Sequence, residues 1–195
     1  MYNKVKKGRD ISMKYANFKE LTTERLVLRR LMPSDAENFY KFASDDAVCK
    51  YMLWNTHKTI SDTITSIDKS IKSYEKGGYY RFGIALKDSN ILIGIIQLLA
   101  FDEIKSTCSF AYMIAKESWG MGYGTEALKA VINFAFSCMD IEIIEADHFS
   151  VNAASGAVMR KCGMTYIETV KSKYEKNGII FDADRYVIQK NGRIN

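Results

Sequence analysis

Two long segments of the chain carry apolar residues at steps of three and four, the period of an amphipathic helix. The first runs from Ile60 to Tyr74 and is followed by Gly77-Gly78, and the second runs from Thr125 to Ser137. A shorter segment from Ala153 to Lys161 is closed by Cys162-Gly163. Together with residues 35–44, these segments predict four helices.

Segments rich in Ile, Leu and Val lie between these helices and are typical of strands. One turn-forming run, Asp88-Ser89-Asn90, separates two of them and predicts a hairpin. The elements follow the order strand, two helices, three strands, helix, strand, helix, two strands. This order favours an α+β fold with a central, mostly antiparallel sheet of about seven strands and about four flanking helices. The expected strands are Leu26–Leu28, Arg81–Lys87, Ile91–Leu99, Thr107–Ala115, Ile143–Phe149, Met164–Tyr174 and Asp184–Gln189.

The length of 195 residues suits one domain, and no Pro/Gly/Ser-rich linker divides it. We expect a single domain over residues 19–190, a flexible basic extension over 1–18 and a short tail over 191–195. Ser34 and Glu37 have the spacing of a capping box, which predicts the start of the first helix.

The positive charge is concentrated at the start of the chain. Residues 1–18 hold five basic residues and one acidic residue, a net charge of +4 out of +5 for the whole protein. Because a nucleic-acid binder usually has a basic face on its folded domain, we expect no nucleic-acid partner. No apolar segment follows the basic start as in a signal peptide, and Ile91–Phe101 is too short to span a membrane. These features predict a cytoplasmic protein with no membrane partner.

The cysteine and histidine content does not indicate a metal site. The four cysteines lie far apart without ligand spacing, and there are two histidines. We therefore expect reduced thiols and no metal.

Three glycines in five residues stand out between an expected strand and an expected helix, in Ser118-Trp119-Gly120-Met121-Gly122-Tyr123-Gly124-Thr125-Glu126-Ala127. Glycines let the backbone approach a ligand closely. The first amides of the next helix have no partner within that helix and lie at its positive end. Such a loop is suited to bind a phosphate or pyrophosphate.

Two nucleotide-binding motifs fit this loop less well. A Walker A loop would end in Gly-Lys-Ser/Thr, which is absent. A Rossmann fingerprint needs Gly-x-Gly-x-x-Gly in a parallel βαβ unit, whereas these glycines alternate after what is expected to be an antiparallel meander. A tight turn that binds no ligand remains an alternative.

Three segments together resemble the GNAT superfamily of N-acetyltransferases. Trp119–Gly124 resembles its pyrophosphate loop, although Trp119 stands where Gln or Arg is usual. Residues 152–164, with Asn152, Ser155 and Lys161-Cys162-Gly163, resemble the Asn-x-x-Ser and Lys-x-Gly-Phe motif of the branch that acetylates ribosomal protein N-termini at Ser or Ala. Residues 23–29 are similar to the opening strand of that branch.

The resemblance implies that the sheet splays between its fourth and fifth expected strands. The pantetheine arm of acetyl-CoA would enter the gap and pair with backbone around Met113 and Ile114. The pyrophosphate would lie on the amides of the glycine loop, with Asn152 and Ser155 near the thiol. The expected cofactor-binding residues are Met113, Ile114, Trp119, Gly120, Met121, Gly122, Tyr123, Gly124, Thr125, Asn152, Ser155 and Lys161.

The groups that would transfer protons are less clear in the sequence. Many GNAT enzymes have a tyrosine as general acid at the position of Met159, which cannot donate a proton. Ser155 is the nearest substitute for a catalytic acid, although it could equally be a pantetheine contact or a helix cap. His148 has the titration range of a catalytic base for an ammonium, or is a structural histidine.

The acceptor pocket has two candidate residues in the segment before the second long helix. Trp54 and His57 lie close together in this segment, and we expect them to bind the substrate. The alternative for His57 is a surface loop histidine.

These features lead to two functional hypotheses. The first is an enzyme that transfers an acetyl group from acetyl-CoA to a primary amine, on a protein N-terminus or a small molecule, by direct attack in a ternary complex. Its partner is then the amine acceptor, and the chain is a monomer or a homodimer. The alternative is a non-catalytic module that binds acetyl-CoA as a sensor or scaffold.

Overall fold

The computed structural model describes residues 18–76 and 80–192, and within them one eight-stranded sheet carries five helices. The sheet has the order β1-β2-β3-β4-β5-β6-β8-β7. The mixed α/β architecture is therefore confirmed, with a short additional strand, β1, and a short additional helix, α2. The strands are β1 (Leu21–Thr22), β2 (Leu26–Arg29), β3 (Tyr80–Leu86), β4 (Leu92–Asp102), β5 (Thr107–Ile114), β6 (Ile143–Phe149), β7 (Thr165–Lys176) and β8 (Ile179–Gln189). The helices are α1 (Ala36–Ala43), α2 (Asp46–Cys49), α3 (Ile60–Lys76), α4 (Tyr123–Cys138) and α5 (Ala153–Lys161).

The sheet opens between β5 and β6, which are the fourth and fifth strands expected from the sequence. All other neighbouring strands pair antiparallel, whereas β5 and β6 run parallel because α4 connects them as a crossover. Their pairing consists of Thr107 with Ile143 and Cys108 with Ile144. Beyond Cys108 the two strands separate, and a cleft lies between them.

Helices cover both faces of the sheet. On one face α4 packs through Leu128 and Val131, which are fully buried, against residues of β2 to β6. On the other face Phe39 of α1 and Ile67 of α3 form a second core with Ile95 and Met113 of the sheet. The cleft between β5 and β6 therefore opens toward α4 on one face of the sheet and toward α1 and α3 on the other.

The start of the first helix differs from the capping box expected at Ser34. Residues Pro33–Asp35 form a 3-10 turn whose N-cap is Met32, and the Asp35 carboxylate accepts the Met32 amide at 2.8 Å, whereas the expected box would join Glu37 to the Ser34 amide. Asp35 also accepts hydrogen bonds from both terminal nitrogens of Arg29, at 2.8 Å each, in a buried ion pair. These two parallel hydrogen bonds fix the Asp35 side chain at the turn, one residue before α1 begins.

Residues 1–17 and 193–195 lie outside the described part of the chain, as does the Gly77-Gly78 pair that follows the predicted second helix. Phe18 is described, and its ring lies 4.6 Å from Phe82 and 5.2 Å from Tyr74. The packed part of the chain therefore includes Phe18, one residue before the expected domain boundary.

Candidate acetyl-transfer site

The glycine loop lies between β5 and α4 and presents free amides at the helix start. Gly120 and Gly122 have φ values of +75° and +82°, a region that side chains disfavour. The first helical hydrogen bond is from the Glu126 amide to the Gly122 carbonyl, at 3.0 Å. The amides of residues 123–125 therefore precede the first bonded turn, as an anion site at a helix N-terminus requires.

Arg25, which precedes β2, holds this loop in place. Its guanidinium donates to the Met121 carbonyl at 2.9 Å and to Glu126 at 2.8 Å, and it lies 4.6 Å from the centre of the Tyr123 ring. Burial alone would raise the pKa of Glu126, but hydrogen bonds from Thr23 and Arg25 outweigh it and lower that pKa. Glu126 is therefore ionised, and Arg25 balances its charge, so that Glu126 anchors the loop without repelling a phosphate.

The open edge of β5 is presented by Tyr112 and Ile114 rather than by Met113. The Ala115 amide, just after β5, donates to the carbonyl of Ile93 in β4 at 2.7 Å. The alternation of an antiparallel ladder then turns the backbone polar groups of Met113 toward β4 as well. The Ile114 carbonyl faces the other way and accepts the Trp119 indole nitrogen at 2.8 Å. Trp119 therefore ties the glycine loop to the strand, while 48% of the residue stays exposed.

Ser155 and Asn152 meet Tyr112 at the cleft. Asn152 caps α5, where its side-chain oxygen accepts the Ser155 amide at 3.4 Å. The Ser155 hydroxyl lies 3.4 Å from the Tyr112 hydroxyl. Burial raises the pKa of Tyr112 to about 12, against a smaller lowering by Ser155, so its phenol stays protonated. Met159 is buried in the cleft wall, and Lys161 is exposed at the far end of α5.

His148 lines the same cleft but is closed over by α5. Its Nδ1 lies 2.8 Å from the Phe149 carbonyl, which can only accept, so Nδ1 carries a proton and donates it to that carbonyl. Nε2 is buried without a hydrogen-bond partner. A Cβ added at Gly156 would lie 2.8 Å from it, so glycine is needed at this position of the helix.

Two adjacent cavities lie at the cleft, on the side of α1 and α3. A cavity of about 290 Å³ contains Ser155, His148 and Asn152 in its walls, and a neighbouring one of about 490 Å³ contains His57. Trp54, 40% exposed, contributes to both. His57 bonds through Nδ1 to Thr63 at 2.8 Å. Burial lowers the pKa of His57 and outweighs the nearby charge of Asp62, which would raise it, while Arg81 adds a smaller lowering. Trp54 therefore shares one cavity with Ser155 and His148, and the neighbouring cavity with His57.

The structure also brings to the site residues that sequence reasoning did not identify: Arg25, Arg81, Tyr112 and Lys176. In the sequence, Arg25 and Arg81 look like ordinary basic residues in or beside strands. Tyr112 could have been noticed, because it is a hydroxyl-bearing residue two positions before Ile114 on the strand expected to line the gap.

Two further features bear on the class of site. In residues 18–76 and 80–192, no group of three or more His, Cys, Asp or Glu side chains converges as metal ligands would. No helix in that part of the chain has the length and apolar character needed to cross a membrane.

Comparison with known proteins agrees with this geometry. Residues 25–165 match the model of the acetyltransferase (GNAT) domain family. The chain is 29% identical over 173 residues to the uncharacterized N-acetyltransferase YoaA of Bacillus subtilis (strain 168), covering 89% of this chain and 98% of that one.

Solved structures show the same fold. An acetyltransferase of the GNAT family from Bacillus anthracis superposes with a TM-score of 0.80 at 25% identity, covering 89% of this chain and 99% of that one. RimL, a ribosomal L7/L12 alpha-N-protein acetyltransferase in complex with coenzyme A, superposes with a TM-score of 0.76 at 19% identity, covering 88% and 98%. With the family model matching most of its length, the chain belongs to the GNAT acetyltransferase family and is an acetyl-CoA-dependent N-acetyltransferase.

Proposed function

We propose that the protein transfers the acetyl group of acetyl-CoA to a primary amine by direct attack within a ternary complex. The observation that carries the proposal is the cleft between β5 and β6, which has the glycine loop and the free amides of α4 on one side and a cavity on the α1 and α3 side. Donor and acceptor can therefore approach one point from opposite faces of the sheet. Holding two reactants in this way removes much of the entropic cost of their encounter.

The donor would lie along residues of β5, α4 and α5. Its pyrophosphate would accept from the amides of residues 123–125, with Arg25 fixing the loop. Its pantetheine arm would follow the open edge of β5 at Tyr112 and the Ile114 amide, since the Ile114 carbonyl is already bonded to Trp119. The side-chain nitrogen of Asn152 is available to a pantetheine carbonyl, because the helix cap uses only the side-chain oxygen.

In the reaction the nitrogen of the neutral amine attacks the thioester carbonyl carbon, and the nitrogen of the tetrahedral intermediate gives one proton to a base. The C–S bond then breaks and coenzyme A leaves as the thiolate, which takes up a proton from solvent after release. The Ser155 hydroxyl would donate a hydrogen bond to the departing sulfur, while the Tyr112 hydroxyl orients the Ser155 hydroxyl. A thiol titrates near 8.5, so moving the proton of a phenol with a pKa of about 12 onto the thiolate is uphill by roughly 5 kcal/mol. Tyr112 would therefore act through its hydrogen bond rather than by full proton transfer.

Two histidines are candidates for the base that receives the amine proton. The Nε2 atom of His148 is buried against Gly156, whereas His57 lies in the larger cavity and is kept neutral near pH 7 by its lowered pKa. His148 as base thus requires α5 to move, and the open position of His57 favours it for an amine entering from that side.

Release of free thiol from acetyl-CoA in the presence of an amine panel tests the function. The panel contains peptides with Ser or Ala N-termini and small amines, and acetylation is verified by product mass. We expect turnover with at least one class, and for Ser155→Ala a fall in kcat of about 10²-fold or more with little change in acetyl-CoA affinity. Tight acetyl-CoA binding without any product would instead favour the sensor or scaffold.

The proposal places the enzyme in the cytoplasm, because its four cysteines are free thiols of the kind kept in reducing compartments. The acceptor is a protein N-terminus or a small-molecule amine. The active unit is a monomer or a homodimer, which sedimentation would distinguish.

A further inference from the structure

The larger cavity contains an arginine for which the described part of the chain provides no carboxylate partner. Arg81 lies on β3, opposite Gln97 of β4, which in turn lies opposite Ala111 of β5. All three residues line the cavity of about 490 Å³. The row therefore crosses the sheet from the α3 side to the cleft, where acetyl transfer is proposed to occur.

Arg81 is fixed by neutral partners. Its Nη1 donates to the hydroxyls of Ser66 and Ser70 at 3.1 Å each, and its guanidinium lies 5.4 Å from the centre of the Phe39 ring. Its Nε is buried without a hydrogen-bond partner. Within residues 18–76 and 80–192 it forms no salt bridge, in contrast to Arg29, which is paired with Asp35.

The other charged groups of this cavity do not neutralise Arg81. Asp62 is exposed on the rim, and one of its oxygens accepts the amides of Lys58 and Thr59 at 2.9 Å each. Lys69, also on the rim, adds a second cation. Because burial keeps His57 neutral near pH 7, the cavity carries two cations and one carboxylate.

A half-buried guanidinium whose Nη1 is held in place by hydroxyls is suited to an oxyanion, since its charge and its remaining N–H donors can bind carboxylate or phosphate oxygens. Neighbouring strands lie about 4.8 Å apart, so two strand spacings separate Arg81 from Ala111 by roughly 10 Å. A polyamine would place an ammonium against this guanidinium, which like-charge repulsion disfavours.

We propose that the acetyl acceptor is an amine that also carries an oxyanion, a carboxylate or a phosphate, and that Arg81 binds this group while the amine lies at the β5–β6 cleft. The inference rests on the proposed acetyl transfer. It makes Arg81 a specificity-determining residue for the acceptor.

Matched pairs of acceptors test it. Dipeptides with a free carboxylate are compared with their C-terminal amides, and O-phosphoserine amide with serine amide, while spermidine represents the polyamines. We expect kcat/KM to be roughly 10- to 100-fold higher for the anionic member of at least one pair, as for a charged hydrogen bond. The pair that shows the preference identifies carboxylate or phosphate as the group.

Arg81→Gln should abolish that preference, and Arg81→Lys should restore part of it because the charge returns without the fork. Lys72→Gln is the matched control, since it removes an exposed cation from the same helix as Lys69 but outside the cavity. Melting temperature and acetyl-CoA affinity of each variant show whether the fold and the donor site are intact. Equal kcat/KM within all pairs, or a preference for spermidine, would overturn the inference and leave acetyl transfer standing.

If no amine is acetylated, the proposed function fails, and binding decides the inference separately. Calorimetry with the CoA-loaded protein and the same dipeptides then measures affinity without turnover. Binding of the free carboxylate form that Arg81→Gln weakens about tenfold or more supports the oxyanion site. Equal binding of carboxylate and amide forms refutes it.

Discussion

Replacing Lys176 by methionine should impair the acceptor side of the site without affecting the donor side. Lys176 ends β7, at the tip of the hairpin with β8, far in sequence from the segment that lines the cavities. Its ammonium nevertheless donates to the carbonyls of Cys49 at 2.7 Å, Met52 at 2.5 Å and Trp54 at 3.3 Å. These carbonyls belong to the end of α2 and the segment that follows it, which carries Trp54 into both cavities.

The size of the effect follows from these three bonds. A hydrogen bond to a charged group is worth about 1.5–3 kcal/mol when buried, but carbonyls that regain water recover much of this. Cys49 is buried, whereas Met52 and Trp54 are partly exposed, so we count about one full bond, roughly 1.5–3 kcal/mol. If little more than this free energy keeps the segment with Trp54 in place, its loss lowers the fraction of protein that can bind the acceptor about 10-fold or more. KM for the acceptor then rises by the same factor.

Steady-state kinetics with varied acceptor, together with calorimetry of acetyl-CoA binding, measures the two sides separately. Lys171→Met is the matched control, because Lys171 is on the same strand and its side chain is 78% exposed beside Asp182. An acceptor KM that does not change, or an acetyl-CoA affinity that falls in parallel, would show that Lys176 does not act by positioning the acceptor segment.

Three further variants or conditions test other parts of the structure. Gly122→Val should weaken acetyl-CoA binding at least about tenfold by calorimetry with the fold retained, because a β-branched residue is strained at φ +82°; unchanged affinity would contradict the loop's role. Gly156→Ala gains about 1 kcal/mol in helix propensity, but its Cβ would lie 2.8 Å from His148 Nε2, and such overpacking costs about 1–3 kcal/mol. Urea unfolding should therefore show a net loss of stability, and this loss should disappear when His148 is also replaced by alanine. Persistence of the loss in that double variant would exclude the His148 contact as its cause. Burial raises the pKa of the Cys108 thiol from 9.0 to about 12, so the thiol loses its proton at a lower pH in the unfolded chain than in the folded one. The free energy of unfolding should therefore fall as pH rises above 9, by up to about 1.4 kcal/mol per pH unit. Cys108→Ala should reduce that slope, and an equal slope in the variant would refute the assignment.

The hairpin of β7 and β8 shows how local sequence signals determine local structure. Asn177 and Gly178 have φ values of +52° and +76°, as a two-residue turn with positive φ at both positions requires, and the sequence Lys-Asn-Gly by itself indicates a turn there. The sequence could not show that the strands extend to Lys176 and Ile179, because much of the hairpin is exposed and lacks a clear apolar alternation.

The sequence by itself determined the glycine loop and the order of the longer helices and strands, without the short β1 and α2. These depend on residues close together in the chain: backbone freedom at Gly120 and Gly122, and apolar spacing in α3 and α4. Such interactions recur wherever the same local pattern recurs, so the pattern predicts them.

Only the tertiary structure decided which distant side chains share the site. Arg25 reaches Met121, Lys176 reaches Cys49, and Tyr112 meets Ser155 across separations of 96, 127 and 43 residues. These contacts depend on strand register and on the splay of β5 from β6, which together set where each side chain lies. Register is fixed by the packing of two helix layers against the sheet, a property of the whole core that no short segment contains.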